Sequence, residues 1–166
     1  MRTSECPSDC ETGSIFRCLK DRGELYELDG FWVLNAKLRR TPPCIIERTS
    51  RPALVIATRR HIERIEDVEA AHMEAFGQLV RDTARELCAL SGAERTALLY
   101  LNVGTPRHVH AHIVPHFADD VPAANGLTLL ERPLPAGTKS PPGVEIARTI
   151  AEKLGAKHLR RVEKSV

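Results

Sequence analysis

Between residues 108 and 116 the chain reads His-Val-His-Ala-His-Ile-Val-Pro-His, and this alternation leaves little conformational choice. In an extended strand successive side chains point to opposite faces, at a rise of about 3.3 Å per residue. His108, His110 and His112 then share one face, their Cα atoms roughly 7 Å apart, while Val109, Ala111 and Ile113 turn to an apolar one. The aliphatic residues favour the strand, Pro115 is expected to end it, and Gly104-Thr105-Pro106-Arg107 supplies a polar turn ahead of it.

Seven histidines among 166 residues would give such a row by chance roughly once in a hundred chains of this length. Burying three imidazoles for packing alone is also unfavourable, since each needs hydrogen-bond partners once away from water. Two chemistries use the arrangement. One is metal ligation, because neutral imidazole binds zinc and His-x-His on a strand presents two nitrogens to one ion. The other is nucleophilic attack on phosphorus, with the neighbouring rings donating to phosphate oxygens or to the leaving group. Crowded imidazoles resist accumulating positive charge and depress one another's pKa, so the middle ring stays neutral and nucleophilic near pH 7.

The run His108-Val109-His110-Ala111-His112-Ile113-Val114 resembles the His-φ-His-φ-His-φ-φ signature (φ apolar) of the histidine triad, or HIT, superfamily. Upstream, Phe31-Trp32-Val33-Leu34-Asn35 is similar to that family's first core strand, and the stretch from Ala53 to Asp67 to the strand and turn leading into its long helix. The resemblance spans about residues 6 to 118. It implies an α+β fold, an antiparallel sheet of about five strands with one long helix packed on it. A HIT-like domain over residues 1–118 would be followed by a C-terminal extension over 119–166, carrying a second helix near 143–155 and a basic tail.

By the same resemblance the chain is expected to be a nucleotide hydrolase or nucleotidyltransferase acting at the α-phosphate of dinucleoside polyphosphates or nucleoside phosphoramidates. His110 would attack phosphorus to form a covalent nucleotidyl-histidine, His112 would stabilise the departing group, and His108 would orient the row. Asn35 corresponds to the ribose-contacting position. Phosphoramidate-cleaving relatives carry a glutamine that contacts the leaving group in the loop before the row, and residues 102–107 hold none. Asn102, Thr105 and Arg107 are the substitutes the loop offers. That gap leaves room for a non-catalytic nucleotide-binding protein, and a metal-dependent hydrolase using the row itself as zinc ligands is a third reading. Zinc-binding relatives imply a structural ion held by Cys6, Cys10, His61 and His108; four protein ligands would leave it no site for water. HIT proteins commonly pair as two-fold dimers through the long helix and an adjoining strand, so a homodimer is expected.

Composition narrows the partners. A net charge of +2 is too small to argue for nucleic acid or an anionic membrane, and 4% aromatic residues leave few stacking platforms. No apolar run approaches 18 residues, Met1 to Cys10 has no signal-peptide core, and five cysteines do not form a disulfide framework, so a cytoplasmic protein is expected. Gly23 to Ala36 reads as two strands turning at Asp29-Gly30. Asp67 to Ser91 is the strongest helix, with Val68, Met73, Phe76, Leu79, Val80, Ala84, Leu87 and Leu90 on one stripe and His72 off it, exposed. Arg95 to Asn102 reads as an apolar strand. Residues 37–51 exceed the family's usual connection by about ten and form a loop or extra hairpin at the site's rim, its arginines solvated. Ala118 to Pro142 reads as irregular chain, His116 as a further phosphate donor or an exposed strand end, and Lys157 to Val166 as a frayed tail.

Overall fold

Two histidines of the row, His110 and His112, fall on a strand, and His108 lies just before it. β7 (His110–His116) runs between β5 (Leu54–Thr58) and β6 (Arg95–Tyr100), antiparallel to both. A computed structural model describes residues 8, 10–41, 45–101, 107–120 and 126–159. With β1 (Leu25–Leu28), β2 (Trp32–Ala36) and β8 (Lys157–Leu159), these strands form one six-stranded sheet in the order β6-β7-β5-β2-β1-β8. The five strands nearest the row come from the stretch that resembles the HIT proteins. The sixth is Lys157–Leu159, which pairs antiparallel with β1 instead of fraying.

β1 and β2 are joined at Asp29-Gly30, where both residues take positive φ (52° and 79°). The Asp29 carboxylate accepts the N–H groups of Phe31 and Trp32 and so holds the turn from within. Pro115 does not end β7. Pairing with β5 stops at Ile113, so on that side proline's missing N–H breaks no ladder bond, and the strand continues along β6 to His116.

Alternation sorts the sheet into two faces. Trp32, Leu34, Leu54, Ile56 and Ile113 meet α2 (Ala70–Ser91) and α4 (Gly143–Lys153) through Leu87, Ile146 and Ile150. Burying each of these large side chains contributes about 1.5–3 kcal/mol. The apolar stripe foreseen for the long helix is the one that packs here. His72 is half-buried, its ring stacked on Phe31 with centroids 3.8 Å apart.

The opposite face carries Leu25, Val33, Val55 and Ala57, covered by α1 (Glu11–Arg22) through Leu19. This helix went unforeseen, because its residues are mostly polar and its N-cap is a cysteine. Its legible signals are the spacing of Ile15, Phe16 and Leu19 and the left-handed Gly23 (φ 66°) that caps it. Within the stretch expected to be irregular lies α3 (Gly126–Glu131), whose Leu129 and Leu130 are buried against Ala53 and Val114. Residues 37–51 do form an extra hairpin, β3 (Leu38–Thr41) with β4 (Ile45–Arg48). Among the described residues no helix is long and apolar enough to cross a membrane.

Arg51 corrects the expectation of a solvated arginine loop: its side chain is only 1% exposed. Its five N–H donors are all used, two on the Asp120 carboxylate at 2.7 and 2.9 Å and the others on the carbonyls of Pro115, Arg132 and Pro133. Burial by itself would raise the Asp120 carboxyl, but the Arg51 hydrogen bonds and the Phe117 N–H outweigh it and hold the group below its ordinary value. Replacing Arg51 by Ala is expected to cost about 3–5 kcal/mol in a urea unfolding curve, since it strands a buried carboxylate. The wild-type contribution should be whole at neutral pH and fade as pH drops below the usual carboxylate range, through the lowered folded value. An Arg51→Ala loss under 1 kcal/mol, or one unchanged in acid, would contradict the clamp.

Candidate active site

Because β7 alternates, Ala111 and Ile113 pair with Ile56 and Leu54 on the α2 side, while His110 and His112 pair with Ala57 and Val55 on the α1 side. His108 precedes the strand. The chain around it is fixed by Val109, whose N–H donates to the Ile62 carbonyl and whose carbonyl accepts from Thr58. All three imidazoles line one cleft of about 350 Å³, together with Asn35. α1 closes it on one side with Thr12 and Phe16, and α3 on another with Leu127 and Leu130.

Backbone carbonyls set the tautomers, since a carbonyl can only accept. His108 Nε2 lies 2.8 Å from the Thr58 oxygen, so it carries the proton and leaves Nδ1 with a lone pair. His110 Nδ1 lies 2.7 Å from the His108 oxygen, so Nε2 is the unprotonated nitrogen of that ring. His112 stands nearly perpendicular to His110, ring centroids 5.0 Å apart, and its buried Nδ1 has no hydrogen-bond partner among the described residues. An orphan of that kind costs about 1–3 kcal/mol.

Burial is the main force on all three rings. It pushes His108 down to about 4, against its Thr58 bond and helped by His61 and His110. It pushes His112 down to about 3, assisted by the charges of Lys37 and His110. His110 is lowered as well, by burial first, with the His108 carbonyl opposing and Lys37 adding to the shift. The row is therefore neutral at pH 7, as crowding in the sequence suggested, although loss of water outweighs mutual repulsion.

Asn35 lies in register with Val55 and so, across two strand spacings, with His112, about 10 Å away. Its Nδ2 donates to the Ala36 carbonyl at 2.7 Å, while its buried Oδ1 has no partner among the described residues and remains an acceptor. Arg107 is exposed and does not line the cleft; Asn102, Thr105 and Cys6 fall outside the described residues. His116 is neither exposed nor a wall of the cleft. It is buried further along β7, Nε2 accepting from Arg95 at 3.2 Å. Lys37, directly after β2, lines the cleft and was missed, having no motif to mark it.

A second cluster stands behind the row. One ligand atom each of Cys10, His61 and His108 lie within 4.8 Å of one another. The Cys10 sulfur is 3.6 Å from His108 Nδ1, the very nitrogen left unprotonated by the Thr58 bond, and it also accepts the Gly13 N–H as the N-cap of α1. Thiolate sulfur and neutral imidazole nitrogen suit zinc, and the Thr58 carbonyl is the outer partner a ligating histidine requires. Only His108 of the row joins this cluster. The reading in which all three row imidazoles wrap one ion gains nothing from the geometry.

Known structures share this fold. A zinc-bound histidine triad family protein from Mycobacterium smegmatis superposes with a TM-score of 0.55 at 14% identity, over 89% of this chain and 94% of that one. The fold is that of the histidine triad proteins. A histidine triad nucleotide-binding protein from Sulfolobus tokodaii gives a TM-score of 0.54 at 15% identity, over 85% and 88% of the two chains. The diadenosine triphosphate hydrolase of Plasmodium falciparum, solved with cyclomarin A, gives 0.52 at 14% identity, over 81% and 80%. No family model matches the sequence, and no curated protein matches it. The histidine triad fold is thus carried by a sequence far from those of its structural neighbours.

Two-dimensional NMR of the imidazoles checks the electrostatics. The His112 signals should keep neutral-ring shifts from about pH 8 down to about pH 5, well below the ordinary value of 6.5. A midpoint near 6.5 would mean that the ring is not held dry in the cleft. Because the unfolded chain takes up protons that the row refuses, stability should also fall as pH drops through 6.5.

Proposed function

We propose that the chain is a nucleotidyl hydrolase or transferase of the histidine triad type, cleaving at the α-phosphate of nucleoside 5′-phosphoryl compounds. One observation carries the reading: His110 is held neutral, with Nδ1 committed to a carbonyl and Nε2 left with its lone pair, on the wall of a cleft. In this reading Nε2 attacks phosphorus, the bond to the bridging atom breaks, and water later hydrolyses the nucleotidyl-histidine. His112, beside it on the cleft wall, donates to the bridging atom or to a phosphate oxygen. Asn35, on the wall of the cleft, is the residue that contacts the sugar. The nucleotide-binding and hydrolase descriptions of the structural neighbours favour the same class.

Cys10, His61 and His108 would hold a zinc ion, with Cys6 as the fourth ligand of the expected set. The ion would supply structural cross-linking and take no part in bond cleavage. The chain's own contribution is to fix His108, and through the His108 carbonyl to fix the His110 ring.

Purified protein is expected to release AMP from AMP phosphoramidate or a diadenosine polyphosphate and to yield a covalent AMP adduct in quenched samples. His110→Ala or His110→Asn should lower turnover by about a thousandfold or more and abolish the adduct. Turnover that survives either substitution would remove the nucleophile assignment. Micromolar nucleotide binding with no product from any substrate would select the non-catalytic alternative.

Metal analysis gives a separate check. One zinc per chain is expected, lost in Cys10→Ser and His61→Ala together with a lower melting temperature. Full loading in both variants would exclude the cluster.

A further inference from the structure

Lys37 follows β2 directly and lines the cleft. Its N–H donates to the Ala53 carbonyl at 2.8 Å, and its own carbonyl accepts the Thr49 hydroxyl at 3.3 Å, so the backbone beneath the side chain is tied on both sides. Among the described residues lining the cleft, it is the one lysine or arginine. It also lines a second cleft of about 350 Å³ past the end of β2, bounded by Thr49, Ser50 and Ser140. The cation therefore stands between the two clefts.

Glu11 and Glu131 also face the cleft, but both are exposed. Lys37 is half-buried, so its charge is less screened by water than theirs.

Leaving groups differ in what they need. An amine departing from phosphorus must receive a proton, whereas a phosphate departs as a stable anion and needs a counter-charge. A lysine ammonium supplies the second as a fixed-sign point charge. Resting on the nucleotidyl reading above, we propose that Lys37 binds the phosphates beyond the scissile bond and selects nucleoside 5′-polyphosphates over substrates with an amine leaving group. His110 Nε2 forms the bond to the α-phosphorus as the bond from that phosphorus to the bridging oxygen breaks. The electron pair leaves on that oxygen, now part of a nucleotide or phosphate anion beside the ammonium. Water then cleaves the nitrogen–phosphorus bond, giving the nucleoside monophosphate, returning neutral His110 and releasing a proton to solvent.

The test compares wild type, Lys37→Met and Lys37→Arg on diadenosine tetraphosphate and on AMP phosphoramidate. In Lys37→Met, kcat/KM should fall at least about tenfold further on the tetraphosphate than on the phosphoramidate, mainly through KM, and Lys37→Arg should recover most of the difference. Equal losses on the two substrates, or no loss on the tetraphosphate, would overturn the assignment. Calorimetric affinities for AMP and for a non-hydrolysable ATP analogue provide a readout that needs no turnover. Wild type should prefer the analogue by about tenfold, and Lys37→Met should lose that preference. If wild type turns over neither substrate, the nucleotidyl reading fails while the affinity ratio still decides the role of Lys37: a preference equal in both proteins would refute it.

Discussion

Two carbonyl oxygens, those of Thr58 and His108, order the candidate site. Each accepts from an imidazole and thereby decides which nitrogen of that ring keeps its lone pair. The Thr58 bond turns His108 Nδ1 toward the Cys10 sulfur, and the His108 carbonyl in turn orients His110. The metal-type cluster and the row are thus linked in series through one residue. That linkage gives the neutral rings a defined direction, which burial alone cannot provide.

Much of this was legible in the sequence, for identifiable reasons. The row and the β1–β2 hairpin announce themselves because a period of two and an Asp-Gly turn have few alternative readings. The long helix shows because eight apolar residues fall on one stripe. The resemblance implies Cys10, His61 and His108 as companions, and the chain brings them together across 98 residues. α1 and α3 were hidden because one begins at a cysteine cap in a polar stretch and the other is only six residues long. Arg51 was misread for a different reason. Its burial depends on Asp120 and on carbonyls far along the chain, and no local pattern carries that information.

The cleft is assembled from unlike parts. The sheet and the residues leading into β7 supply the imidazoles and Asn35, as the resemblance implied, but α1, α3 and the residue opening the 37–51 segment supply its walls and its one described cation. Those walls lie in the stretches where sequence pattern is weakest. A rigid strand presents the reactive groups, and the less regular segments around it shape what can reach them.

The Arg51 clamp has a consequence for how the molecule is built up in time. Its partners stand 64 to 82 residues further along the chain, so closing it costs the ordering entropy of a long loop. Leu129 and Leu130 of α3, which share a small core with Ala53 two residues after Arg51, settle under the same requirement. One wall of the cleft is thereby coupled to contacts of high sequence separation, the kind that slows folding.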